Sequence, residues 1–424
     1  MRRNLKFLMQ AFVCLLVVNL WFAPASHAGK AANSIALANS EKATASASSL
    51  STQQLQVELA EAKQLLQGQN STSNSSVALA AFDRSSSQIH VVSLDKDSFL
   101  TKGGEFLLHS QNGSDLRVRI VRPNGVNTAV TVKDARTGTS MYPLTVKYPI
   151  EKGGRTETAY YVSAHPALIS PELEADGRTY VMTMLNQAAE SLTSKGITIS
   201  PDTIEEAAHL VIVEHTDHKR FLNDERSAIS TEVLCLYALN HGDTYRYSVS
   251  SAGAGGMIQM IPRTYEAIRQ HHPNVGLESD FVTAMQDHAT ALKAMLLYIN
   301  DTWKYLEDVP EVQHALSSGA ATKTELLAAG YNSNPYKLSS YLTNGGSGWR
   351  SLIPAETQMY LAIYKSVDTN VDFADYDATA INTDAAPVSQ DVAAPTVPDA
   401  ASRFVSWVGK ELFTKAAALT HVVP

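Results

Sequence analysis

The chain reads as a small antiparallel β domain followed by a mainly α-helical domain, and three observations predict that order. Between Ile89 and Val162, short β-branched and aromatic runs alternate with glycine-bearing turns. From about Ser170 to about Val367, apolar residues recur at helical spacing. From Gly29 to about Arg84 the sequence is too poor in large apolar residues to build a core. With 424 residues, 44% of them hydrophobic, the chain is long enough for one sizeable core plus accessories.

At the N-terminus, Arg2, Arg3 and Lys6 precede an apolar run from Phe7 to Phe22 and then small residues up to Ala28. That is the layout of a secretory signal peptide over residues 1–28, which predicts a periplasmic or secreted protein. A retained membrane anchor is the alternative, but Gln10, Asn19 and Pro24 interrupt the run. The chain has two cysteines, and removal of the leader takes Cys14 with it. Cys235 then stands alone, which leaves no intramolecular disulfide and no cysteine-based zinc site. The formal net charge is -8, with 34 basic against 42 acidic residues. Without a basic surplus to neutralise phosphates, a general nucleic-acid binder is excluded.

Residues 29–84 are rich in Ala, Ser, Asn, Thr and Gln and read as a low-complexity spacer. Within it, Gln53 to Leu66 has helical character. Residues 85–166 form the predicted β domain. Its strands are Ile89–Val92, Leu116–Val121, Val130–Val132 and Thr158–Val162. They are separated by turn signals at Lys102-Gly103-Gly104, Asn112-Gly113, Asn124-Gly125, Thr137-Gly138 and Gly153-Gly154. Whether this domain is a scaffold or contacts the cell wall is open at this level. Residues 167–368 are the predicted helical domain. Ser200-Pro201-Asp202 is a start signal for a helix ending in His209-Leu210-Val211-Ile212-Val213, and further helices are predicted over 282–298, 322–329 and 356–367. An Ala/Pro-rich linker over 369–400 leads to an amphipathic helix over 401–424, carrying Phe404, Trp407, Leu412 and Phe413.

The densest chemical signal is Ser250-Ser251-Ala252-Gly253-Ala254-Gly255-Gly256-Met257-Ile258-Gln259-Met260-Ile261-Pro262. A small-residue loop lets backbone approach something closely, and it leads into an apolar turn with one embedded amide. Gln259 must find partners there, so it either braces the loop or faces a polar ligand.

This segment resembles the S-x-x-G-A-x-G-x-x-Q-x-x-P signature of lytic transglycosylases of the goose-lysozyme-like fold. Downstream, Ala329-Gly330-Tyr331-Asn332-Ser333-Asn334 resembles the A-x-Y-N-x-G/N motif of that family, and Glu356-Thr357 with Tyr360 resembles its E-T-x-x-Y helix start. The resemblance implies a lysozyme-like helical domain acting on peptidoglycan. It also requires a carboxyl group at the end of a helix upstream of the glycine-rich loop. Glu214 directly follows Leu210-Val211-Ile212-Val213 and should emerge from a buried helix, where desolvation favours the protonated form that a general acid needs. Glu232 is the reserve, with a plainer reading as a first-turn carboxylate complementing a helix dipole. Glu225, in a polar stretch, reads as solvated. Glu214 stands 36 positions before Ser250, farther than in most relatives but similar to the membrane-bound B-type branch, which inserts a helical segment there.

What the resemblance implies is cleavage of the β-1,4 bond between N-acetylmuramic acid and N-acetylglucosamine with formation of 1,6-anhydromuramoyl ends. Glu214 is the single acid and base, and Ser250, Gln259, Tyr331, Asn332 and Glu356 are the substrate-binding residues. Each of these also has a structural reading, in which Tyr331 and Glu356 merely knit helices together. Ser333 stands where the family usually has glycine. No cofactor or metal is expected, although Glu214-His215-Thr216-Asp217-His218 is rich in ligand types. The expected partner is the glycan strand, with an envelope protein partner open through the β domain or the C-terminal helix. A hydrolytic muramidase and a non-catalytic wall-binding or secretion-assembly factor on the same fold are the competing functions.

Overall fold

The computed structural model describes residues 50–68, 75–152 and 155–373. The predicted signal peptide, the C-terminal helix, most of the predicted linker and the Gly153-Gly154 turn lie outside the described residues. Among the described residues, no helix is long and apolar enough to cross a membrane.

Helix α1 (Thr52–Gln67) comes first and buries Leu55, Leu59, Ala62 and Leu66, a stripe at i, i+4, i+7 and i+11. It lies over the antiparallel sheet that follows. That sheet has seven strands: β1 (Ser76–Asp83), β2 (Gln88–Asp95), β3 (Glu105–His109), β4 (Asp115–Arg122), β5 (Ala129–Asp134), β6 (Ser140–Lys152) and β7 (Arg155–Val162). Their order is β2-β1-β6-β5-β4-β3, with β7 also pairing with β6. The sheet curls into a near-barrel, and the Gln111 N–H after β3 reaches back to the Val91 carbonyl of β2 at 3.2 Å. In β4 the alternation is clean: Leu116, Val118 and Ile120 point into the core while Arg117 and Arg119 point out. The turns behave as their glycines dictate, with left-handed φ at Gly113 (87°) and Gly138 (74°).

Three strands, β1, β3 and β6, are not among those read from the sequence. The sheet begins at Ser76, inside the stretch read as spacer, because β1 is buried on both faces. Such a strand shows a continuous apolar run instead of alternation, and here the run is rich in alanine, which resembles low complexity. Strand β6 carries Pro143 and Pro149, which argue against a central strand. The sheet accommodates Pro143 beside a register shift between Leu79 and Ala81 of β1.

The helical region comprises α2 (Pro171–Thr193), α3 (Pro201–Val213), α4 (His218–Asn223), α5 (Arg226–Asn240), α6 (Pro262–His271), α7 (Phe281–Gln286), α8 (His288–Leu306), α9 (Pro310–Ser317), α10 (Lys323–Asn332), α11 (Leu338–Gly345) and α12 (Ala355–Asn370). The start signal at Ser200 is used as predicted: its hydroxyl accepts the Thr203 N–H at 3.2 Å, and Pro201 opens the helix. The single helix predicted over 282–298 is two, divided at Asp287, whose side chain caps α8 by accepting the Thr290 N–H at 3.0 Å. A capping box of Thr322 and Glu325 starts α10. The helical core also extends past the predicted linker boundary, since Val371 and Phe373 are buried and the Phe373 ring lies 5.3 Å from that of His209.

At the centre stands α3. Leu210, Val211, Ile212 and Val213 are all buried, and each such side chain contributes roughly 2 kcal/mol on burial. Sheet and helices share a core boundary at Leu236 of α5, which packs among the inward-facing residues of the sheet. Helices α2 and α5 meet backbone to backbone: a Cβ on Gly177 would lie 2.0 Å from the Leu234 carbonyl oxygen. Gly177→Ala is expected to cost about 3 kcal/mol, the upper end for overpacking a tight core, read as a lowered midpoint in urea unfolding. An unchanged midpoint would show that the two helices are not in backbone contact.

Candidate active site

Helix α3 ends where its apolar run ends, and Glu214 is its C-cap residue, with the backbone N–H still bonded to the Leu210 carbonyl at 3.0 Å. The side chain is half-buried. Its Oε1 accepts a hydrogen bond from the Tyr360 hydroxyl on α12 at 2.9 Å. Burial pushes the Tyr360 phenol well above its ordinary range, and the Glu214 charge adds to the shift, so the hydroxyl stays a donor. Tyr331, at the end of α10, is shifted the same way by burial and then by Glu214, and its hydroxyl donates to the Ile258 carbonyl at 2.8 Å. Both tyrosines therefore stand within the electrostatic reach of one carboxylate.

Immediately after Glu214, the His215 ring lies parallel to that of Tyr245 with centroids 3.4 Å apart, and its Nε2 donates to the Met257 carbonyl at 3.0 Å. Since a carbonyl can only accept, the proton sits on Nε2 in the neutral ring. Desolvation pushes the pKa down to about 3. His215 is thus a strut between the end of α3 and the signature loop. His215 and His218 do not form a metal site: one is committed to Met257, and the other opens α4 with an exposed side chain.

The signature loop is a miniature hairpin, bridged at Val249–Gly255 and Gly255–Met260. Gly256 is obligatory there: φ is +66°, and a Cβ would lie 2.2 Å from the Met285 carbonyl oxygen. Gln259 adopts a left-handed φ of 44°, and its Nε2 donates to the Gly256 carbonyl at 2.8 Å and to the Ser248 hydroxyl at 3.2 Å. Of the two roles open in the sequence, the amide nitrogen takes the bracing one. The residue also borders, with Thr264, Tyr331 and Ser333, a depression of about 20 Å³. Four non-glycine residues have positive φ among the described residues, and three of them, His241, Tyr245 and Gln259, fall in this one connection between α5 and α6. Backbone strain of this kind collects at functional sites.

The remaining expected residues are placed less centrally. Ser250 is exposed, and its hydroxyl accepts the Ala254 N–H at 3.0 Å, closing the hairpin tip. Asn332 is half-buried and its Oδ1 accepts from the Thr357 hydroxyl at 2.9 Å. Glu356 is exposed in the first turn of α12, where a carboxylate complements the helix dipole. In that motif, Thr357 ties α12 to Asn332 and Tyr360 reaches the catalytic candidate, so the threonine and tyrosine carry its structural content.

Glu214 also borders a cleft of about 690 Å³ between the sheet and the helices, a volume typical of small-ligand sites. Asp217, Arg220 and Glu232 line it on the helical side, and Arg122, Asn124, Tyr148 and Tyr161 on the sheet side. Glu232 sits in the second turn of α5, not the first, and is engaged by two guanidinium groups. Arg122 holds it bidentately at 2.9 and 2.6 Å, and Arg220 approaches at 3.0 Å. Both of its carboxylate oxygens are thereby committed to guanidinium donors. Glu225 is exposed as expected, but it also caps α5 by accepting the Ala228 N–H at 2.7 Å. No local signal pointed to Arg122 or to the sheet as a cleft wall, because Arg122 meets its partner Glu232 across 110 positions.

In comparisons with family models, curated proteins and solved structures, the chain has no match.

The His215 strut yields a pH prediction. The unfolded chain takes up a proton on this residue near the ordinary value of 6.5, while the folded protein holds it neutral down to about 3. In that window the unfolded state binds more protons, so stability falls as pH drops below about 6.5, by up to about 1.4 kcal/mol per pH unit from this residue. His215→Phe keeps an aromatic ring against Tyr245 but has no proton to take up. Urea unfolding of the variant should show a shallower loss between pH 6.5 and 4, and about 1 kcal/mol less stability at pH 7 from the missing hydrogen bond.

Proposed function

We propose that the protein is a peptidoglycan lytic transglycosylase, exported from the cytoplasm, with Glu214 as its only acid and base. One observation carries this reading: the carboxylate caps a buried helix, receives the Tyr360 hydroxyl, and stands between the signature loop and a cleft of about 690 Å³. The same sequence segments that resemble the family's three motifs supply the carboxylate's surroundings, through Met257 and Ile258, Tyr331, and Tyr360.

In this reading the helical region is a lysozyme-like domain and a glycan strand occupies the cleft, with the sheet as its second wall. Protonated Glu214 donates its proton to the oxygen linking N-acetylmuramic acid to N-acetylglucosamine, and the C1–O bond breaks. The muramoyl acetamido group stabilises the cationic C1. Glu214, now a carboxylate, takes the proton from the C6 hydroxyl as that oxygen attacks C1 and closes the anhydro ring. The carboxyl group is regenerated, and the electron pair of the broken bond leaves with N-acetylglucosamine. A second catalytic carboxylate of the ordinary glycosidase pair is unnecessary. Tyr360 orients the acid by its hydrogen bond, and Tyr331, whose hydroxyl is held by the Ile258 carbonyl, stands within electrostatic reach of the same carboxylate.

Digestion of purified sacculi followed by mass spectrometry of the released muropeptides tests this. Wild type should yield 1,6-anhydro ends, and Glu214→Gln should lower their release by about 10³-fold or more while still sedimenting with the wall. Reducing ends in place of anhydro ends would identify a hydrolytic muramidase. Wall binding without any release by wild type would identify a binding factor.

Tyr360→Phe separates positioning from scaffolding. Losing the hydrogen bond to Glu214 should lower the turnover rate by about 10- to 100-fold with sacculus affinity unchanged. An equal loss of binding would mean that the tyrosine shapes the groove and does not act on the acid.

A further inference from the structure

A second convergence of ligating side chains lies where α6 ends, outside the residues that line the sheet cleft. His271 is the last residue of α6, and His272 leaves the helix as its C-cap residue at φ -120°, ψ 62°. Within a helix, neighbouring side chains diverge by about 100°. The exit at His272 turns the second ring back, so that the two imidazoles stand 4.6 Å apart and perpendicular. Both Nε2 atoms face one oxygen, Oδ2 of Asp301 on α8, at 3.8 Å from His271 and 2.7 Å from His272. All three ligand atoms lie within 4.8 Å of one another, and Asp301 is 7% exposed.

We propose that His271, His272 and Asp301 bind a divalent transition-metal ion of the zinc class, with water completing its coordination. Two imidazoles and a carboxylate are a donor set that suits zinc and its neighbours, whereas magnesium and calcium prefer oxygen alone. Zinc bonds of about 2.0–2.2 Å in a tetrahedron place ligand atoms about 3.3 Å apart. The present 2.7 and 3.8 Å straddle that spacing.

The position suggests what the ion does. Helix α6 begins at Pro262, the residue that ends the signature loop, and α8 carries Tyr298, which donates to the Gly330 carbonyl at 3.3 Å and packs edge-on against Tyr331. A metal at the far end of α6 fastens the elements that flank that loop. This inference stands independently of what the cleft binds.

The test uses the full chain, stripped with EDTA and dialysed, titrated calorimetrically with ZnCl2 and followed in parallel by thermal unfolding. Wild type should take up about one equivalent of zinc with a raised Tm, and show no such response to MgCl2 or CaCl2. Asp301→Asn should weaken zinc binding by about tenfold or more. His271→Gln keeps the 2.7 Å His272–Asp301 contact, so its metal-free Tm should match wild type while its zinc affinity falls by about tenfold or more. Zinc binding of equal strength in wild type and His271→Gln, or none in wild type, overturns the proposal, as does an equal response to calcium.

Discussion

The burial of the last turn of α3 is the constraint from which the site follows. Leu210 to Val213 are enclosed on every side, so the helix cannot rotate or slide without exposing apolar surface or driving side chains into a full core. Its end is tightened further by the Thr216 hydroxyl, which donates to the Ile212 carbonyl at 3.0 Å. One residue of slippage would swing the side chain at position 214 by about 100° and carry the carboxylate away from Tyr360. The apolar run therefore does more than stabilise the domain: it aims a single polar group at the place where the signature loop, α10 and α12 converge.

Around that fixed point the chain tolerates local strain. Tyr245 and Gln259 both hold left-handed backbone without being glycine, and each is kept there by a specific partner: the His215 ring for one, and the Gly256 carbonyl and Ser248 hydroxyl for the other. Gly256 completes the arrangement, because only a residue without a Cβ lets the loop lie against Met285. The glycines and the glutamine of the motif are thus two halves of one device, a loop pressed against α7 and tied back on itself.

Much of this was legible in the sequence, and what was not has identifiable causes. The position of Glu214 at a helix end followed from four apolar residues and a start signal, both local features. Strands β2, β4, β5 and β7 followed from alternation and glycine turns. By contrast, β1 hid in an alanine-rich stretch because two-sided burial erases alternation, and β6 hid behind two prolines that a bulge and a long strand accommodate. At the site, Tyr360 was visible only as a motif letter, since its hydrogen bond spans 146 positions. The role of Glu232 was hidden for the same reason: its meaning depends on Arg122, which lies in the sheet. Local periodicity reports which face of an element is wet or dry, but a contact between distant elements leaves no periodic trace.

The Arg122–Glu232 fork has a mechanical consequence. It joins β4 to α5 across the cleft floor, and Arg220 doubles the attachment. Spreading the two walls would strand charges in a partly desolvated crevice, which is far costlier than breaking an exposed pair. The spacing of the two walls is consequently clamped at this point, and the width of the crevice is a fixed dimension of the fold.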